Sequence, residues 1–393
     1  MISYEMIKIK TKERWIKHIF LSALLLLITV LFPGCSQTKR FKTSDLASFY
    51  IVGEKGITGY QIQNGIPQPI VQTRTTIVRK NINTVVHRAQ LEDRYLVFTE
   101  DGWPTGRQEG VISIDFKNGV IRSLDTRHNA YTSAGSSNKY YFAFTSGEDS
   151  DIWVYNAQLE EVSSMKLDPP VILSDFYCQA DKYYGVGVDI DLSEDISGNS
   201  YFKTRAFEFD LKNENLTVKS VTELNVDPKR QYWLDELVVR KNQFYAVNAG
   251  WRDNTSEERN YAGSVYRYDL KENAGEFFPL EEIGPSDAYF PEDSLMAITH
   301  SSSLGATRKG ITLFDLGTCE NSFIDLEQLG FSLDGHEIHD IQSLDSTCLL
   351  LLTSEQLIGY DMKNEQIAFE ISCNKETGTP FHIWISPTNL PAD

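Results

Sequence analysis

What most constrains this chain is a phrase that returns seven times, a short β-type run closing on an aromatic or aliphatic residue and then a polar turn-former. The instances are Gly59-Tyr60-Gln61, Ser113-Ile114-Asp115, Val154-Tyr155-Asn156, Glu208-Phe209-Asp210, Arg267-Tyr268-Asp269, Leu313-Phe314-Asp315 and Gly359-Tyr360-Asp361. Their last residues lie 54, 41, 54, 59, 46 and 46 positions apart. Such a period suits four short strands and their loops, one blade of a radial repeat. Apolar runs such as Tyr95-Leu96-Val97-Phe98 and Leu349-Leu350-Leu351-Leu352 precede the phrase and supply a second strand. A polar turn and a fourth strand follow, as in Asp361-Met362-Lys363-Asn364 and then Gln366 to Glu370. Asp or Asn ends the third strand well, because its side chain can accept from backbone N–H groups two residues on. No long stretch of helical period competes. The pattern predicts an all-β fold over residues 49–393: a seven-bladed β-propeller of four-stranded antiparallel blades.

The phrase aromatic-Asp-Leu-Lys-Asn, seen at Phe209 to Asn213, resembles the third-strand motif of YVTN-type, quinoprotein-like and WD-repeat propellers, over roughly residues 49–387. The resemblance implies the fold and is nearly silent on function, since these folds host unrelated activities. The regularly spaced docking tryptophan of quinoproteins is missing, so no quinone or other cofactor is expected. The first repeat lacks an innermost strand, while Phe381 to Ile385 is a spare apolar segment at the far end. The economical closure places that segment in the first blade, removing an exposed sheet edge.

The first residues read as an export signal. Lys8, Lys10, Lys12, Arg14 and Lys17 precede an apolar run from Ile19 to Phe32, shorter than the ~20 residues of a spanning helix. Leu31-Phe32-Pro33-Gly34-Cys35 resembles the lipobox of bacterial lipoproteins, departing from it at the bulky Phe32. That resemblance implies a signal peptide over residues 1–35, lipidation of Cys35 and attachment to the extracytoplasmic face of the cell membrane. Residues 36–48 are polar and read as a tether, reaching at most ~45 Å. Beyond residue 35 the chain holds 32 Lys and Arg against 53 Asp and Glu, a formal −21. Such a surface repels nucleic acid and anionic lipid, so neither is expected as a direct partner and the membrane is engaged through the lipid on Cys35. Cys178, Cys319, Cys348 and Cys373 show no zinc-ligand spacing, and suit either one or two disulfides or buried thiols.

Loops between second and third strands share one face of a propeller, and here they are the long ones: Glu100 to Gly110, Asp189 to Lys203, Asn248 to Gly263 and His300 to Gly310. Binding usually resides on such loops. They carry Trp103, Arg107, Trp251, Arg252, Asp253, Tyr261, His300 and Arg308, types suited to sugar stacking or to a protein hot spot. Asp189, Asp191 and Asp195 alternate like a calcium loop, but Glu194 stands where an EF-hand needs Gly, and a solvated acidic loop explains them as well. His336 and His339 are three apart in a β-type segment and point to opposite faces, so they form no shared metal site. The sequence therefore describes a lipid-anchored binding protein for an envelope protein or glycan. The alternative is a propeller lactonase or lyase drawing on Glu100, Arg107, Asp191, Arg252, Asp253, His300 and Arg308. If Cys35 is the anchor, Cys35→Ala should move the protein from the membrane fraction into the medium. Unprocessed, firmly bound wild type would make the apolar run the anchor instead.

Overall fold

The computed structural model describes residues 37–387 apart from 79–84, 101–108, 127–131, 136–138, 145–149, 180–181, 190–192, 195–199, 202, 254–255, 257 and 332–336. It is a seven-bladed β-propeller of four-stranded antiparallel blades. Running from blade 1, the innermost strands are Pro380–Ile385, Val85–Leu91, Thr132–Gly135, Val171–Gln179, Arg230–Arg240, Pro285–Glu292 and Ile338–Asp345.

Period-2 side-chain alternation explains why the second strands read as unbroken apolar runs rather than amphipathic ones. Leu349 and Leu351 pack with blade 6, whereas Leu350 and Leu352 pack with blade 1. Tyr141 and Ala143 likewise face blade 2, while Phe142 and Phe144 face blade 4. The buried residues accordingly form seven apolar clusters, one at each blade junction. Each such side chain contributes about 1.5–3 kcal/mol on leaving water.

The expected turn chemistry holds in five blades. Asp115 Oδ1 accepts from the N–H groups of Lys117 (3.1 Å) and Asn118 (3.0 Å), and Asn156, Asp269, Asp315 and Asp361 act alike. In blades 1 and 4 the hairpin runs two residues further. It reverses at Asn64-Gly65 and Asn213-Glu214, each with both φ values positive, the backbone that matches strand twist in a two-residue hairpin.

The ring closes through the last strand, as expected. Pro380–Ile385 lies antiparallel to Phe49–Gly53, with Trp384 opposite Tyr50 and His382 opposite Val52. Trp384 also stacks on Phe116 of blade 2, at 4.2 Å between ring centroids and 8° between planes. Its indole N–H has no hydrogen-bond partner among the described residues, a cost of about 1–3 kcal/mol. The aromatic area that it buries outweighs that cost.

The tether is a correction. Gln37–Arg40 is a fifth strand on the outer edge of blade 2, with Arg40 opposite Val120 and Gln37 opposite Ser123. Phe41 and Ala47 are buried, and Phe41 meets Phe116 edge to face at 5.7 Å. Two apolar residues inside a polar segment were enough to dock it, because an open sheet edge offered free hydrogen-bonding groups. Among the described residues Cys319, Cys348 and Cys373 are free thiols. Deleting Phe381 to Asp393 should abolish the cooperative melt or shift the monomer to oligomers on gel filtration. A truncated monomer with an unchanged Tm would refute this closure.

Candidate functional site

The innermost strands are irregular where they line the channel. The register shifts at Val86/Ala89, Leu173/Asp175, Asp235/Val238, Pro285/Ala288 and Ile338/Asp340, and again beside Pro380 and His382. A bulge leaves backbone groups unpaired and re-aims side chains, so these shifts decide what the channel displays.

They display a tier of charge just below the face where the long loops emerge. Asp175, Asp235 and Asp340 sit opposite Val186, Val247 and Leu352, the same position of three second strands. Asp287 meets the equivalent Thr299 in blade 6, and His382 sits opposite the equivalent Val52 in blade 1. Arg88 lies within the bulge of blade 2.

Two of the aspartates fasten one blade to the next. Asp175 accepts from its own neighbour Phe176 N–H (2.7 Å) and from Leu237 N–H of blade 5. Asp340 accepts from Ile341 N–H (3.0 Å) and from Ile383 N–H of blade 1 (2.6 Å). Arg88 reaches across the channel to the carbonyls of His339 (2.6 Å) and Phe381, both left outside the ladder by bulges, and to the Tyr289 hydroxyl (3.2 Å). Tyr289 donates to the same His339 carbonyl (2.9 Å).

These carboxyls are buried and outnumber the cations, and their proton affinities follow from both. Burial and then the charge of Asp235 push Asp175 well above the ordinary carboxyl range. Burial moves Asp235 up to about 7, against the opposing bond from Glu236 N–H. Glu236, at φ 54° in the blade 5 bulge, is raised by burial and by Asp175, Asp287 and Asp235. Burial also raises Asp287, although Arg88 pulls the other way. Asp340 ends below the usual range: burial opposes ionisation, but His382 Nδ1, 2.7 Å from Oδ2, and Arg88 overcome it. His382 Nδ1 has no hydrogen bond of good alignment among the described residues.

Above the tier, between blades 6 and 7, opens a cleft of about 640 Å³. Its walls are the Ser301 to Lys309 loop and Glu337 to His339, and Ser286, Asp287 and Thr299 lie where it meets the tier. Ser301 Oγ donates to Glu337 (3.1 Å), and Ser286 and Thr299 exchange a hydroxyl bond at 2.8 Å.

The residues expected from the loops fare differently. Cys35, Trp103, Arg107, Asp191 and Asp195 lie outside the described residues. His300 and Arg308 reach the cleft but are held by their own blade and by the connection that enters it from blade 5. His300 Nδ1 is 2.9 Å from the Ile283 carbonyl and Nε2 is 2.8 Å from Thr312 Oγ1, while burial lowers its proton affinity. Arg308 bonds Glu282 (2.7 Å) and Glu281 (2.9 Å) over the Phe323 ring. Trp251, Arg252 and Asp253 are not loop residues, because the second strand of blade 5 runs on to Asp253 and the third begins at Arg259, before Tyr261. Gly250, at φ 147°, allows the bulge in that hairpin, where a Cβ would stand 2.1 Å from the Asn260 carbonyl oxygen. There Trp251 lies under Arg230, Arg252 bonds Gln231 (2.8 Å) and Asp253 pairs with Arg230 (3.2 Å). Tyr261 is 41% exposed. Asp189 takes both arms of Arg205, and Glu100 is buried at the end of its strand. Sequence reasoning missed the tier itself. Its trace is an Asp that stands 11 or 12 residues before one position of the second strand in blades 4 to 7, a spacing set by hairpins rather than by a local motif.

No family model matches the chain, and no curated protein does. In fold it is similar to the dihydro-heme d1 dehydrogenase NirN in complex with DHE, at 13% identity and TM-score 0.49 over 89% of this chain and 77% of that one. It is also similar to apo AztD from Citrobacter koseri, at 11% and 0.44 over 88% of each. The β-propeller domain of the trilobed protease from Pyrococcus furiosus gives 10% and 0.48 over 86% and 97%. These likenesses reach no further than the fold.

A raised carboxyl keeps a proton that the unfolded chain has already released. Its stabilisation is therefore complete below pH ~4 and lost as pH rises through the folded value. Asp340, shifted downward, acts in the opposite sense and only below pH ~4. A carboxyl moved from ~3.9 to about 7 is worth at most about 4 kcal/mol. The Tm should thus fall from pH 5 to pH 8, and Asp235→Asn should fall less and melt higher at pH 8. Parallel curves for the two proteins would contradict this picture of the channel.

Proposed function

We propose that the protein is an extracytoplasmic, lipid-anchored binding protein whose cleft and channel mouth take a polar, positively charged group of an envelope ligand. The observation that carries this reading is the position of Asp287, which belongs both to the charged tier and to the cleft. A cation entering there meets a carboxylate crowded by other carboxylates, together with Ser and Thr hydroxyls that can accept from its N–H groups. Arg308 and Lys309, the cations of the cleft wall, are taken up by Glu281, Glu282 and Glu327. The export signal and lipobox support the location, and the partner class is an envelope protein or glycan bearing amino groups.

A second reading as an enzyme of the lactonase or lyase type rests on Asp340 and His382. A carboxylate against an imidazole in a channel is a general-base arrangement. Lactone or uronate-glycan turnover that His382→Gln abolishes without lowering Tm would favour it over binding alone.

Calorimetric titration with glucosamine oligomers and short lysine peptides tests the binding reading. The Asp287→Asn, Glu337→Gln double variant should bind at least tenfold more weakly, a loss of about 1.4 kcal/mol, with Tm unchanged or higher. Wild type that prefers N-acetylated oligomers to the free amines would overturn it.

A further inference from the structure

We infer that the flank of blades 1 and 2 is the side of the propeller that lies against the membrane, the channel axis running along the bilayer rather than toward it. The inference rests on the lipid-anchor reading and adds an orientation to it. Gln37 is already hydrogen-bonded into the outer edge of blade 2, opposite Ser123. Cys35 is two residues earlier, and two residues reach only ~7 Å, against ~45 Å for a free 13-residue tether. A lipid on Cys35 would therefore hold the edge of blade 2 at headgroup depth.

The surface around that point suits a lipid surface. The docked segment from residue 37 to 42 carries Lys39, Arg40 and Lys42 and no carboxylate, in a chain whose balance beyond residue 35 is −21. Arg40 and Lys42 are exposed. Lys42 N–H bonds Thr73 (2.9 Å) and Lys39 Nζ bonds the Thr76 carbonyl (2.6 Å), so the segment also binds the neighbouring outer strand of blade 1, Ile66–Arg74. Leu46 is 66% exposed and Ile66 47%, the two most exposed large apolar side chains among the described residues. Cations and exposed apolar side chains on one flank, with Asp45 the one carboxylate among residues 37–46, match an anionic interface, in which the headgroups take the charge and the acyl boundary takes the leucine and isoleucine. The acidic remainder is pushed away from the same surface, which fixes the rotation about the anchor.

The test uses the acylated full-length chain in vesicles of 70% phosphatidylethanolamine and 30% phosphatidylglycerol containing a photoactivatable phospholipid. Peptide mapping should find lipid adducts concentrated in residues 37–46 and 64–74 and at least fivefold fewer in residues 215–223, the outer strand of blade 4. Arg40→Glu with Lys42→Glu and Leu46→Glu alters only exposed positions. That variant should remain vesicle-bound and lose the concentration of adducts. An acylated wild type whose adducts are spread evenly, or gather in residues 215–223, overturns the orientation alone. A chain without acyl groups at Cys35 overturns the anchor reading and the orientation with it.

Discussion

Each blade of this ring is a sheet with two apolar faces, and neither face can be left to water. That requirement accounts for the second strands that are apolar at every position. It accounts for the seven junction clusters and for the need to close the ring at all. The closing strand carries an unusual share of the burden. Ile383 belongs to the cluster with blade 7, Phe381 and Trp384 to the cluster with blade 2, and Ile383 N–H is held by Asp340. One six-residue strand thus seals two junctions and is pinned from blade 7 by a side chain as well.

Closing seven twisted sheets around an axis crowds the innermost strands, and bulges there relieve the crowding at a price in unpaired backbone groups. The tier answers that deficit. Asp175 and Asp340 accept N–H groups of the following blade, and Arg88 donates to two carbonyls that the bulges expelled. Burial first, and then neighbouring carboxylates, leaves Asp235, Glu236 and Asp287 holding protons more tightly than free carboxyls do. A structural solution for the ring therefore leaves a channel mouth that favours positive charge. The cleft between blades 6 and 7 brings that property to the surface, at Asp287.

The architecture was legible because its signals are local. The third-strand phrase marked every blade, Asp115 and Asp361 make the turns their side chains allow, and a spare apolar segment with no first strand elsewhere implied the closure. The candidate site was less legible. His300 and Arg308 do lie at the expected face, yet the carbonyl of Ile283 and the carboxylates of Glu281 and Glu282 occupy them. The blade 5 loop proved to be strand through Asp253, because Gly250 lets the hairpin continue through a bulge.

The sequence by itself determined the blade number, the four strands of each blade and the turn sites of five blades. Each of these depends on residues within a few positions of one another. Tertiary structure alone decided that residues 37–40 dock on blade 2, and that Asp175, Asp235, Asp287, Asp340, His382 and Arg88 meet at one level of the channel. Those residues are some 40 to 90 positions apart along the chain, with His382 far from Arg88. Only the curvature of the closed ring and the bulges of its inner strands bring their charges within range of one another.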